Sequence, residues 1–263
     1  MNTGTQQRRQ ERIDRGIKVR TDGLYALMSW RELAYLIAPR LLLIGGLLLL
    51  PLVVPGLYWL RVISIVCIYA LLALSFDFLA HYVGLVSLGG AFFVGVGGYL
   101  TALLNTELGV SPLVSIPAAG VLGGVICTTL LLPCLPLRGV YFAIVTLMYP
   151  LFLARVIEAL NILGGTDGIM GIDGVPYVWL EQYGIIVMLL LILFGLRRLV
   201  NTDLGLVMRA VKDNDQAVRA SGMNITHYKA LAVFIASSVG CLAGACLVHT
   251  YICLLYTSDA ADE

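Results

Sequence analysis

Residues 195–234 read GLRRLVNTDLGLVMRAVKDNDQAVRASGMNITHYKALAVF, and their polar part, 197–229, is the one long hydrophilic interruption late in an apolar chain. Within it, Ala210–Ser221 is predicted to form a short amphipathic helix, because its small and apolar residues recur at spacings of three, four and seven. Gly222 stands where a helix end needs a positive φ, and Asn224 or Thr226 can cap the helix that follows. The pattern predicts a helix held between two membrane spans, on which a soluble partner can push.

The composition of the chain is that of a membrane protein. Hydrophobic residues make up 59% of the sequence and charged residues 13%, whereas soluble domains average about 25% charged residues. The mean hydropathy is +0.91. These values predict an all-α fold, a polytopic bundle of transmembrane helices.

A membrane-spanning helix needs about 20 mainly apolar residues, and the sequence offers seven such segments. They are predicted at Leu41–Leu60, Val62–Ala80, Val83–Leu104, Pro112–Leu132, Gly139–Leu160, Tyr183–Leu196 and Ala230–Leu254. The chain is accordingly divided into a basic tail and lead-in (1–40), a membrane domain (41–254) that contains the loop 197–229, and an end segment (255–263).

The basic residues predict the orientation. Of the 17 lysines and arginines, eight precede Leu41 and six lie between Arg197 and Lys229. An even number of predicted spans separates these two segments, so both belong on the cytoplasmic side by the positive-inside rule. Residues 161–182 contain three acidic residues and no basic ones, as expected of an external loop. The N-terminus is therefore predicted to be cytoplasmic.

The third predicted span, VGLVSLGGAFFVGVGGYL (83–100), is unusually rich in glycine. Glycine weakens a helix by up to about 1 kcal/mol per site relative to alanine, so a compensating use is expected. One use is close packing between helices. The other is a broken helix whose free backbone groups line a polar path, and Ser87, Gly89 and Gly90 are the candidate residues. Asp77 is a further candidate for this path, unless it is a solvated residue at a span end.

No catalytic or metal-binding pattern is present in the sequence. The six cysteines include no C-x-x-C pair, and the three histidines are scattered among different segments. None of the three lysines lies in a G-K-[ST] motif, so the phosphate loop of an ATPase is missing. If transport is driven by ATP, another polypeptide must hydrolyse it, and no cofactor is expected.

The run Gln216-Ala217-Val218, followed after three residues by Gly222, resembles the Glu-Ala-Ala loop by which permeases of bacterial ABC importers dock on their ATPase. Four further segments are similar, in the same order, to permeases of branched-chain amino-acid importers, so that the resemblance covers roughly 65–247. They are YALLALSFDFLAHYVGLVSLGGAFFVGVGGYLTALL, LRGVYFAIVTL, GGTDGIMGI and MRAVKDNDQAVRASGMNITHYKALAVFIASSVGCLAGA. The chain departs from the family at Gln216 and Val218, at Gly90, where the family often has His, and at Asp77, where Asn is usual.

The resemblance implies a permease subunit of an ABC importer in the bacterial inner membrane. Its ATPase-coupling residues are expected to be Arg209, Lys212, Asp215, Gln216, Ala217 and Gly222. The implied partners are ATPase subunits, a second permease subunit, expected to be a paralogue, and a periplasmic or extracellular substrate-binding protein. Membrane lipid is expected as a contact and nucleic acid is not.

The substrate is expected to be a branched-chain amino acid or a related small polar solute. The alternative is an ion-coupled secondary amino-acid transporter. Such carriers commonly have charged residues near the middle of the membrane, whereas the charges of this chain cluster at the ends of the spans. An intramembrane enzyme is disfavoured because the spans contain no plausible pair of a nucleophile and a general base. Family permeases continue with further spans, so 255–263 is expected to be the non-native end of a truncated copy.

Overall fold

The structure, a computed structural model, describes residues 30–54, 56–137, 139–161, 169, 171–172, 174 and 177–259. Outside these ranges lie the basic tail before residue 30, most of the loop GGTDGIMGIDG and the last four residues. The described part is helical and contains the α-helices α1 Trp30–Val53, α2 Leu57–Asp77, α3 Gly90–Thr106, α4 Pro112–Leu131, α5 Val140–Leu160, α6 Val178–Val200, α7 Asp203–Asp213, α8 Asp215–Ala220 and α9 Ile225–Asp259.

The chain divides into two compact units between Gly45 and Gly46, within α1. The described part of the first unit is the beginning of α1. The second unit contains everything from Gly46 onward, and all contacts below lie within it.

Seven apolar helices appear in the described residues, in the order that the hydropathy predicts. Five are long and apolar enough to cross a membrane, while Ala38–Val53 and Gly90–Thr106 are shorter. The predicted all-α membrane fold is confirmed. The first predicted boundary is wrong, because α2 already begins at Leu57, after Gly56 with φ 113°.

The long helix α9 forms the centre of the second unit and packs against α2, α3 and α4. In its most apolar stretch 61% of the residues are buried, against 39% or less in the other four full-length spans. Glycines allow this close packing: a Cβ on Gly97 of α3 would overlap the backbone of Cys241, and one on Gly244 would overlap that of Val94. The packing use predicted for some of the glycines is confirmed at these positions.

The third predicted span is interrupted. After Asp77, α2 continues as a π-helical turn, Phe78–Val83. Residues 84–89, called the linking segment below, have no helical structure, and α3 begins only at Gly90. The helix break that the second predicted use requires is therefore observed, and the polar path along it stays a prediction.

The predicted helix Ala210–Ser221 is wrong as a single element. It is divided between α7 and α8 at Asn214, whose backbone is extended with φ −156° and ψ 96°. The physical reason is local competition for hydrogen bonds: asparagine at this position caps a new helix better than it continues an old one.

Candidate functional site

Asn214 builds the corner between α7 and α8. Its Oδ1 accepts hydrogen bonds from the backbone N–H groups of Gln216 and Ala217, each at 3.1 Å. Such an asparagine cap stabilises a helix by about 1 kcal/mol relative to alanine. The corner is also held by a small buried cluster of Val211, Val218 and Ile225. The cluster packs the end of α7, α8 and the start of α9 against one another.

Gly222 connects α8 to the central helix through a tight turn. Its φ is +83°, and its N–H donates to the carbonyl of Arg219 at 2.9 Å. Two residues later, Asn224 Oδ1 accepts from the N–H of His227 at 3.4 Å, near the start of α9. The predicted roles of Gly222 and Asn224 in ending one helix and starting the next are confirmed. A displacement of α8 would act on α9 through only four intervening residues.

The expected coupling residues do not all lie together. Lys212, Asp215 and Gln216 line one polar groove of about 310 Å³, together with Lys229 and the first two residues of the linking segment. Ala217 lies exposed on α8, beside this groove. Arg209 lies elsewhere, with its guanidinium 5.4 Å from the centre of the Tyr82 ring.

Lys212 reaches toward the membrane bundle. Its Nζ donates to the carbonyl oxygen of His81, in the π-helical turn at the end of α2, at 2.7 Å. Gly84 follows this turn with φ +73°, and a Cβ built there would lie 2.9 Å from Cγ of Lys212. A glycine is therefore needed at position 84 for both its backbone conformation and the space that Lys212 occupies. The contact ties α7 to the start of the linking segment.

The linking segment leads to a cavity of about 430 Å³ that two of the four predicted path residues line, Ser87 and Gly90. Ser87 is buried, and its Oγ accepts from the N–H of Gly89 at 3.2 Å. Gly89 itself packs against α5, because a Cβ added to it would lie 3.0 Å from the carbonyl oxygen of Thr146. We call this space the serine cavity. The other lining residues are Tyr69, Leu72, Ala73, Ser75, Phe76, Leu79, Leu88, Ala91 and Phe93.

The serine cavity combines a polar end with apolar walls. α3 begins beside it without a side-chain cap on its first N–H groups, and a helix N-terminus carries a partial positive charge. The N–H of Leu88 is held by Thr146 Oγ1 at 3.0 Å, which fixes the approach of the linking segment to α3. The arrangement can bind a small molecule that has an anionic group and an apolar side chain.

Asp77 does not join the other three path residues. It is exposed at the end of α2 and lines a separate cleft with Tyr82, Arg197 and Arg209. The structure therefore brings Ser87, Gly89 and Gly90 together and places Asp77 with the arginines.

Three polar residues at these sites did not stand out in the sequence: Ser75, Thr146 and Asn214. Ser75 is buried and donates to the carbonyl of Ala236 at 2.7 Å. The usable signal for it is periodicity, because Ser75 continues the buried stripe of α2 at helical spacing from Ile68 and Leu71. Asn214 between two aspartates is a capping signal.

Comparison with known proteins gives the family. The model of a family described as the permease component of the branched-chain amino acid transport system matches residues 58–254. The chain belongs to this permease family. The match covers α2 to α9, and thus every residue of the serine cavity and of the polar groove.

Named relatives resemble this permease at moderate identity. The probable branched-chain amino acid transport permease protein LivM of Methanocaldococcus jannaschii is 28% identical over 193 residues, which are 63% of this chain and 56% of that protein. High-affinity branched-chain amino acid transport system permease proteins LivM are 29% identical in Salmonella typhimurium (67% of this chain, 49% of the relative) and 28% identical in Escherichia coli (69% and 50%). The chain thus spans about half the length of the curated relatives it matches. No solved structure matches it.

Proposed function

We propose that the chain is a permease subunit of an ATP-binding-cassette importer, in which α7 and α8 receive force from a separate ATPase. The observation that carries the proposal is the hydrogen bond from Lys212 Nζ to the His81 carbonyl. Through it, the helix pair that faces a soluble partner is joined to the segment that leads to the serine cavity. Movement of α7 would therefore reach the cavity directly.

A second connection runs through the central helix. α8 passes by Gly222 into α9, and α9 packs on α2 and α3, the two helices that border the serine cavity. A push on α8 would thus act on both walls. Alternating access needs a coordinated motion of this kind around a binding site near the middle of the membrane.

The substrate that fits is a branched-chain amino acid or a related small polar solute. The uncapped start of α3 attracts a carboxylate, and the hydroxyl of Ser87 adds a polar group. Leu72, Phe76 and Phe93 supply an apolar wall for an aliphatic side chain. The names of the relatives, which are branched-chain amino acid permeases, support the same class.

The importer would also contain two ATPase chains, a second permease subunit, which we expect to be a paralogue, and a soluble substrate-binding protein outside the membrane. ATP hydrolysis would belong to the ATPase chains and not to this subunit. The two basic segments predict, by the positive-inside rule, that the N-terminus and the α7–α8 side face the cytoplasm. We expect the assembly in the cytoplasmic (inner) membrane.

Association with the ATPase tests the proposal at Gly222. A Cβ there meets nothing within 4 Å, so the cost of a substitution comes from φ +83°. Gly222→Val should misplace α8 and weaken co-purification of the partner ATPase, because a left-handed conformation costs about 1–2 kcal/mol for L-residues. Gly222→Asn is the matched control, since asparagine adopts this conformation more readily.

The expected result is retention of the ATPase by wild type and Gly222→Asn and loss by Gly222→Val, measured by affinity purification and ATPase activity. Equal retention by all three proteins would contradict the coupling role of α8. An ion-coupled carrier predicts that no ATPase co-purifies at all.

A further inference from the structure

A polar cleft of about 460 Å³ lies beside the end of α6, apart from the serine cavity and the polar groove. Its lining residues are Leu74, Asp77, Phe78, Tyr82, Leu193, Leu196, Arg197, Val200, Asn201 and Arg209. We call it the arginine cleft. Its location is set by two membrane spans, Leu57–Val83 and Val178–Val200, which both end at it.

The cleft changes character along its length. Leu74, Phe78 and Leu193 form an apolar wall on the side of the spans, whereas Arg197, Asn201 and Arg209 lie where the spans end. This order matches the boundary between hydrocarbon and headgroups, because arginine and tyrosine side chains collect at that depth. An amphipathic ligand fits the cleft better than a fully polar one.

Arg209 is already held in position. Its guanidinium lies over the Tyr82 ring, 5.4 Å from the centre, and Nη2 donates to the carbonyl of Val200 at 3.4 Å. A guanidinium has five N–H donors in a planar fork, so donors remain for a ligand in the cleft. Preorganised arginine is the side chain best suited to the oxygens of a phosphate group.

The charge of the cleft favours an anion. Its described lining residues include two arginines, Arg197 and Arg209, and one carboxylate, Asp77, so the lining is net positive. A phosphodiester carries one negative charge and restores the balance.

We propose that the arginine cleft binds the phosphodiester headgroup of a membrane phospholipid, with its acyl chains along Leu74 and Leu193. The site consists of the ends of two membrane spans together with Arg209 of α7. The proposal does not require an ATPase or transport activity. A role follows from its position: Arg209 belongs to α7, whereas Arg197 belongs to α6. A bound headgroup would tie the helix that carries Lys212 to a membrane span.

Lipid retention tests the site. The 263-residue chain is purified in a mild detergent, stripped of lipid, incubated with phosphatidylglycerol and analysed by native mass spectrometry. The double variant R197Q/R209Q is expected to bind the lipid about tenfold more weakly, because charge-assisted hydrogen bonds are lost. R198Q is the matched control: Arg198 is exposed on the same turn of α6 and does not line the cleft, so its binding should equal that of wild type.

The single variant R197Q leaves the contact of Arg209 with Tyr82 in place and should also weaken lipid binding. Because R197Q does not change α7, this loss cannot be attributed to damage to that helix. Inorganic phosphate and glycerol 3-phosphate form the second arm, and neither should displace the lipid at equal concentration. Unchanged binding in R197Q/R209Q, an equal loss in R198Q, or displacement by free phosphate would each overturn the proposal.

Discussion

The hydrogen bond between Lys212 and His81 joins residues that are 131 positions apart in the sequence. The resemblance of the loop to the Glu-Ala-Ala motif implies that its charged residues face the ATPase. The structure directs Lys212 instead toward the carbonyl at the end of α2, where its side chain also packs against Gly84. The sequence alone did not predict this partner, because the acceptor is a backbone oxygen that no residue type marks.

Removing the hydrogen bond from Lys212 to the His81 carbonyl should partly uncouple ATP hydrolysis from transport. In Lys212→Met the methylene packing against Gly84 is kept and the hydrogen bond to the His81 carbonyl is lost. Because this hydrogen bond is exposed to solvent, its loss should cost about 0.5–1.5 kcal/mol, or roughly two- to tenfold in coupling. The measurement is the number of ATP molecules hydrolysed per solute imported. This ratio should rise in Lys212→Met and return toward the wild-type value in Lys212→Arg. Parallel loss of hydrolysis and uptake would indicate that Lys212 only docks the ATPase.

Gly90 offers a test of the serine cavity. A Cβ at this position has its nearest neighbour, Leu72 Cδ1, at 3.8 Å, so a side chain can begin there without a clash, and a larger one would occupy the cavity that Gly90 lines. Gly90→Leu should raise KM for a leucine-type substrate by about tenfold or more, because the pocket loses volume where the substrate binds. Gly95→Leu is the matched control, since Gly95 lies five residues further along α3 and lines a different cavity. Equal KM values in both variants would exclude the cavity as the substrate site.

Among the helices, α3 shows why glycine-rich sequence was hard to interpret. Its glycines serve different purposes: Gly90 borders a cavity, Gly97 packs against α9, and Gly95 has nothing within 4 Å. The sequence predicts that the segment is exceptional, yet it does not separate these uses, since each depends on what another helix brings nearby. The interruption before Gly90 was likewise one of two open alternatives.

Packing of α3 on α9 gives a stability prediction. Gly97→Ala forces a methyl group into the backbone of Cys241, and overpacking of this kind costs about 1–3 kcal/mol. Gly95→Ala, in the same helix, meets open space and should gain up to about 1 kcal/mol from helix propensity. Thermal unfolding in detergent measures both. Equal midpoints, or a lower midpoint for Gly95→Ala, would contradict the packing role assigned to Gly97.

The break between α7 and α8 shows a limit of hydrophobic periodicity as a predictor of helix ends. Hydrophobic periodicity across 210–221 is continuous, and it predicted one helix. The capping hydrogen bonds of Asn214 decided otherwise. The periodicity predicted Ala210, Ala217, Val218 and Ser221 on one face, which is only partly right. Val218 is buried, together with Val211, whereas Ala217 and Ser221 are exposed. Periodicity also does not report a change of direction within the segment.

For the molecule as a whole, length and composition predicted most of the architecture. Apolar segments of about 20 residues have few alternatives to a transmembrane helix, because backbone polar groups in hydrocarbon must be satisfied within the segment. The seven predicted segments therefore correspond in order to seven apolar helices of the described residues. What the sequence did not predict is the arrangement around α9, which depends on contacts such as those of Gly97 with Cys241 and of Gly244 with Val94.

Two predictions concern the whole assembly: the orientation of the chain in the membrane and its coupling to a separate ATPase. The basic segments predict that α7 and α8 lie in the cytoplasm, where an ATPase would contact them. With this orientation the arginine cleft would lie at the inner surface, where anionic lipids attract basic residues.

The most direct measurement is uptake of radiolabelled leucine by proteoliposomes that contain this chain, its permease partner, the ATPase and the binding protein, with all ion gradients collapsed by ionophores. We expect uptake to continue under these conditions, to require internal ATP, and to stop when hydrolysis is blocked. Uptake that disappears with the ion gradients and proceeds without ATP would contradict a separate motor acting through α7 and α8.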